Sequence, residues 1–168
     1  MKRANEIGKT AERFLTFTLG GESFAIPLLQ VKEVIALPEV TSVPQTPAYF
    51  LGIMNLRGQV ITVLDLRVKL SIKPAENQET VVIICDLSPF SVGIVVDSVT
   101  SVLAVTPDQI APKPELTGSK VDSITGVYQN ANHLILMLDI SRTLNLVDHA
   151  AVKKIQTSIA VDSQGKAA

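Results

Sequence analysis

Asp65 and Asp139 are the first residues in this sequence whose placement bears on chemistry. Each closes an apolar run, at 60–64 and 134–138, and each opens a short amphipathic one. Paired carboxylates can serve acid–base catalysis. The same placement is that of a helix N-cap, where the carboxylate accepts backbone N–H bonds, and that reading needs no substrate. A cap of this kind is worth about 1 kcal/mol. Cys85 ends an apolar strand and has no histidine at a useful spacing, so it reads as a small core hydrophobe rather than a nucleophile. His133 stands at the start of a hairpin arm and reads as a surface turn residue. There is no G-x-S-x-G elbow, no G-x-G-x-x-G and no phosphate-binding loop. The sequence offers no positive support for an enzyme.

A charged pair remains. Arg57 lies in Asn55-Leu56-Arg57-Gly58, a hairpin bend in which Gly58 is free to take positive φ. The corresponding bend in the second half of the chain, Asn130-Ala131-Asn132, carries no charge. Glu33 likewise corresponds to Ser101. Arg57 and Glu33 are therefore not demanded by the fold, and the two are positioned to meet across the first unit. Arginine combines a bidentate fork with apolar stem area, which suits a docking surface.

The elements that must position these residues follow from composition and repetition. With 20 Val, 15 Ile and 13 Thr but no Trp, the 168-residue chain favours strands. Lys plus Arg is 15 and Asp plus Glu is 16, a net charge of −1 that argues against binding nucleic acid by charge. One cysteine excludes an internal disulfide framework and a multi-cysteine zinc site. The N-terminus lacks the apolar core of a signal peptide, and no apolar run reaches the ~18 residues of a membrane helix. A cytoplasmic protein without direct membrane insertion is expected.

Residues 24–37 align with 92–105 at an offset of 68, and 52–66 with 126–140 at an offset of 74. Nearly every apolar position falls on an apolar position. The spacing predicts two similar β units, about 14–72 and 81–146, with strand exchange at their junction as an option. Each unit is most simply a small closed barrel, because closure removes exposed edges. The extension 1–13 precedes them. Ala151, Val152, Ile155 and Ile159 stand at helical spacing, so 147–168 should hold a terminal helix, with 162–168 a disordered tail.

The stretch from Thr46-Pro47-Ala48-Tyr49-Phe50-Leu51-Gly52-Ile53-Met54-Asn55-Leu56-Arg57-Gly58 to Val63-Leu64-Asp65-Leu66-Arg67 resembles the CheW family of bacterial chemotaxis coupling proteins. Val31-Lys32-Glu33-Val34 and Val92-Gly93-Ile94-Val95-Val96-Asp97 are similar to two further segments of that family. The resemblance spans about 14–146. It implies an all-β fold of two intertwined five-stranded, SH3-like barrels with short helices. It implies no catalytic activity, no cofactor and no metal. Its implied role is a scaffold that couples the cytoplasmic tip of methyl-accepting chemotaxis receptors to the regulatory domain of the histidine kinase CheA, in arrays beneath the inner membrane. Val31, Glu33, Val34, Gly52, Arg57, Gly58 and Leu103 match the receptor-binding positions, and Val40 and Thr41 the region facing the kinase. The alternatives are a coupling protein of a related non-flagellar pathway, or a small-ligand protein using the groove between barrels.

Overall fold

The structure, a computed structural model, describes residues 10–76, 79–113 and 122–165. The expected extension at 1–9 and part of the 106–124 connector lie outside the described residues. In the first half, β1 (Glu12–Leu19) turns into β2 (Glu22–Pro27) through Gly20 and Gly21, both at positive φ as a two-residue hairpin requires. A single helical turn at Leu28–Gln30 leads into β3 (Val31–Ala36). After a connector come β4 (Phe50–Leu56), β5 (Gln59–Asp65) and the short helix α1 (Leu66–Lys69). The second half repeats the order. It runs β6 (Val81–Leu87), β7 (Phe90–Val96), β8 (Ser98–Val105), the two-residue β9 (Ile110–Ala111), β10 (Ile124–Asn130), β11 (His133–Leu138) and α2 (Ile140–Thr143). Helix α3 (Leu146–Gly165) closes the chain.

The strands form two sheets, ordered β8-β1-β2-β11-β10-β9 and β3-β6-β7-β5-β4. Neither is a contiguous stretch of chain. Hairpin β1–β2 joins the sheet of the second half, and hairpin β6–β7 joins the sheet of the first. The division at 14–72 and 81–146 thus separates the sequence units, while the sheets are built across it. Register carries the repeat to the residue. Phe24 pairs with Leu136 in parallel β2 and β11, and the equivalent Val92 pairs with Thr62 in parallel β7 and β5. These two pairings reproduce both offsets at once.

The exchange has a cause in side-chain alternation. Val82 and Ile84 of β6 point into the core of the five-stranded sheet, with Met54, Ile61, Val63 and Val95. Ile83 and Cys85, on the opposite face, join a second cluster that includes Phe17, Phe24, Leu64, Ile94 and Leu138. Phe14, Ala25, Val105, Ile135 and Met137 form a third, inside the other sheet. A hairpin apolar on both faces must lie between two cores. Exchange achieves that, and each fully buried Val, Leu or Ile contributes about 1.5–3 kcal/mol.

Both N-cap expectations hold in the geometry. Asp65 accepts from the Arg67 backbone N–H at 3.0 Å, and Asp139 from that of Arg142 at 3.2 Å. The tail expectation is corrected in part: α3 continues through 162–165. Once its first turns are docked, each added residue extends the helix without a new nucleation cost. Asn145 and Asp148 start it with reciprocal bonds, each side chain accepting from the other's backbone N–H at 2.9 and 3.1 Å.

Candidate docking site

The β4–β5 turn places Arg57 at φ 52° and Gly58 at φ 84°, and the Asn55 side chain accepts the Gly58 N–H at 2.9 Å. Ala131, the repeat mate of Arg57, has φ 51°. The turn geometry therefore belongs to the fold, and the guanidinium belongs to this copy alone. Arg57 Nη2 donates to Glu33 Oε2 at 2.9 Å. Arg57 lies in the turn joined to β4, and Glu33 lies on β3. Those strands stand at opposite ends of the sheet order, so the contact spans the closure of a barrel. With the Arg57 side chain 77% exposed, the pair adds at most ~1 kcal/mol to folding.

The pair stands on the rim of an open barrel mouth of about 380 Å³, lined also by Lys32, Leu56, Gln59 and Ser91, with Ile61 and Ile84 as its floor. Val34, on the same strand, is exposed. Val31 packs against the large cluster between the sheets. Gly52 serves this region indirectly. Its φ is 145°, and a Cβ there would overlap the carbonyl oxygen of Thr41. Thr41 exchanges two 2.8 Å backbone hydrogen bonds with Ile53. Gly52 thus seats the 37–49 connector on β4, and Val40 packs onto the barrel core behind it. Leu103 packs against the core of the six-stranded sheet. The structure brings Glu33 and Arg57 into contact and sets Gly52 against Thr41, while Leu103 serves the other sheet.

Two buried ionic clusters escaped sequence reasoning. Arg67 grips Asp65 through Nε and Nη2 at 3.0 and 2.9 Å, and Asp97 through Nη1 at 2.9 Å. The bonds to Asp65, then to Asp97, outweigh burial and hold the guanidinium more firmly protonated than usual. Asp97 also accepts the Gly20 N–H at 2.6 Å, which ties the first hairpin to α1. In the second cluster, buried Asp148 of α3 accepts from Tyr49 Oη, and from Lys69 Nζ at 2.7 Å. Burial, then the bond to Asp148, raises the Tyr49 pKa. For Lys69, burial pulls the pKa down, but Asp148 and Tyr49 outweigh it and the pKa rises. Asp97 closes a strand and Asp148 opens a helix, and nothing in their local sequence names a partner 30 or 79 residues away.

Cys85 is fully buried, which pushes its thiol up to about 12, far from a thiolate. His133 is exposed, as its turn position predicts. Among the described residues no cluster of three His, Cys, Asp or Glu is placed to hold a metal ion. The groove of about 270 Å³ between the six-stranded sheet and the segment after α1, lined by Phe24, Leu70, Ile72, Leu136 and Leu138, has Glu22 as its one titratable group among the described residues.

Residues 13–148 match the model of the CheW-like domain. The chain is 36% identical to the chemotaxis protein CheW of Klebsiella aerogenes, across 88% of this chain and 90% of that one. It is 33% identical to the chemotaxis protein CheW of Bacillus subtilis, across 82% and 89%. Its fold is similar to the crystal structure of the scaffolding protein TtCheW from Thermoanaerobacter tengcongensis, with a TM-score of 0.74 at 24% identity, over 82% of this chain and 90% of that one.

Proposed function

The chain belongs to the CheW-like family, and from that premise we propose that it docks a chemoreceptor tip on the barrel mouth around Arg57 and the regulatory domain of the kinase CheA around Val40 and Thr41. Its role is that of a non-catalytic coupling scaffold in chemosensory signalling. The working unit is the 14–146 region, at receptor arrays on the cytoplasmic side of the membrane. Among the described residues no helix is long and apolar enough to cross that membrane.

The observation that carries the receptor reading is the Glu33–Arg57 pair. It stands on the rim of one barrel, and the duplicated barrel does without it. A charge that adds little to stability and is absent from the repeat mate has its use in recognition. Val31, Val34 and Gly58 frame it, and Leu103 supplies the second barrel's share of the receptor contact. The kinase reading rests on Val40 and Thr41, held in place through Gly52.

Arg57→Ala tests the assignment. Truncating an interface arginine costs ~2 kcal/mol or more, roughly thirtyfold in affinity. Titrated separately, the variant should bind a receptor cytoplasmic fragment that much more weakly and the kinase regulatory domain almost as before. Equal losses to both partners would make Arg57 a structural residue and end the receptor assignment.

A further inference from the structure

Lys32 is the extra residue of a β-bulge. Val31 pairs with Cys85 and Glu33 with Ile84, so Lys32 has no partner across the ladder. A bulge re-aims its side chain, and bulges recur beside functional sites. The six-stranded sheet has the same bulge at the repeat mate, Thr100, between pairings Thr16–Ser101 and Phe17–Val99. There the bulged side chain is consumed internally: the Thr16 and Thr100 hydroxyls lie 2.7 Å apart, and the Thr16 hydroxyl donates to the Ser101 carbonyl at 2.9 Å. In the five-stranded sheet the position of Thr16 is taken by Ile84, which offers no hydroxyl. Lys32 turns instead across the mouth, and its Nζ donates to Ser91 Oγ at 2.7 Å. The ammonium thus stands on the rim against a neutral hydroxyl, while Glu33 is already engaged by Arg57. The mouth carries a net positive charge over an apolar floor of Ile61 and Ile84.

We propose that Lys32 is a specificity-determining residue of this mouth: it pairs with a carboxylate on a partner helix, one turn away from an apolar side chain that fills the mouth over Ile61 and Ile84. An acidic and an apolar residue three or four positions apart share one helix face. Such a face matches the rim and floor in both charge and polarity. This inference rests on the receptor reading above, since the receptor tip supplies the helix.

The experiment titrates full-length wild type, Lys32→Ala, Lys32→Glu and Arg57→Ala against a receptor cytoplasmic fragment at low and high salt. Lys32→Ala should flatten the salt dependence, and Lys32→Glu should weaken binding about tenfold, as expected for a reversed rim charge. In the fragment, each Asp and Glu of the tip is then replaced in turn by Lys. One replacement should restore binding by Lys32→Glu while weakening wild type. If Arg57→Ala loses affinity but both Lys32 variants keep wild-type affinity and salt dependence, the role of Lys32 is overturned and the receptor reading stands. If wild type ignores the fragment, both are overturned.

Discussion

Arg57 occupies a backbone position that favours glycine or asparagine. A non-glycine residue in the left-handed region costs roughly 1–2 kcal/mol, and the exposed pair with Glu33 returns at most ~1 kcal/mol. On the proposed receptor role, function and local stability therefore oppose each other at this residue. Asparagine tolerates left-handed geometry better than arginine does. We expect Arg57→Asn to melt no lower than wild type while losing receptor affinity on the scale of Arg57→Ala. Calorimetry beside a binding titration checks both halves, and a clear drop in melting temperature would show that the ion pair holds the barrel closed. The pair was legible in the sequence because the repeat supplied a control for each residue, Ser101 for Glu33 and Ala131 for Arg57. The bulge at Lys32 was not legible. The inserted residue shifts the alternation of its own strand, so that Val31 packs on the large cluster and Ile35 on the barrel core. The step falls at the charged pair 32–33, where no apolar residue marks it, and only the partner strand's register exposes it.

The two short helices show where local sequence stops being sufficient. Asp65 and Asp139 read alike, and each caps its helix as the placement required. Their surroundings differ. Asp139 is paired loosely with exposed Arg142 at 3.6 Å. Asp65 faces Arg67, whose side chain is only 11% exposed and which also serves buried Asp97. Asp65→Ala removes the cap and strips Arg67 Nε and Nη2 of their acceptors while Asp97 still balances its charge, and each buried group left unsatisfied costs about 1–3 kcal/mol. Asp139→Ala should therefore cost about 1 kcal/mol, and Asp65→Ala about 3 kcal/mol or more, rather than equal amounts. Denaturant unfolding of the two variants decides, and equal costs would reduce Asp65 to a simple cap. Strands, turns and helix caps were readable because hydrophobic period and turn residues act over a few positions. The Arg67 and Asp148 clusters were not, because each joins elements that only the finished fold brings together.

At the scale of the molecule, hairpin exchange makes the two barrels one folding unit. The sequence units 14–72 and 81–146 suggest two modules, yet a chain ending at 72 lacks the β6–β7 hairpin that forms the centre of its own sheet. The duplicated pattern was visible, but which sheet each hairpin entered depended on both of its faces being buried. Alternation shows that a strand is apolar on two sides without showing which two cores it separates. Cys85 sits in the cluster shared between the sheets, fully buried, with its thiol pushed up to about 12 by that burial. Reaction with a thiol reagent at neutral pH needs both exposure and ionisation. Local fraying of one sheet edge supplies neither, because β6 lies between β3 and β7. Cys85 should therefore be labelled only through global opening. Its labelling across a denaturant series should follow one transition, with the midpoint given by far-ultraviolet circular dichroism, as a two-state unit requires. Two separated transitions, or labelling well below the circular dichroism midpoint, would mean that the barrels open independently and that the exchanged hairpins do not couple them.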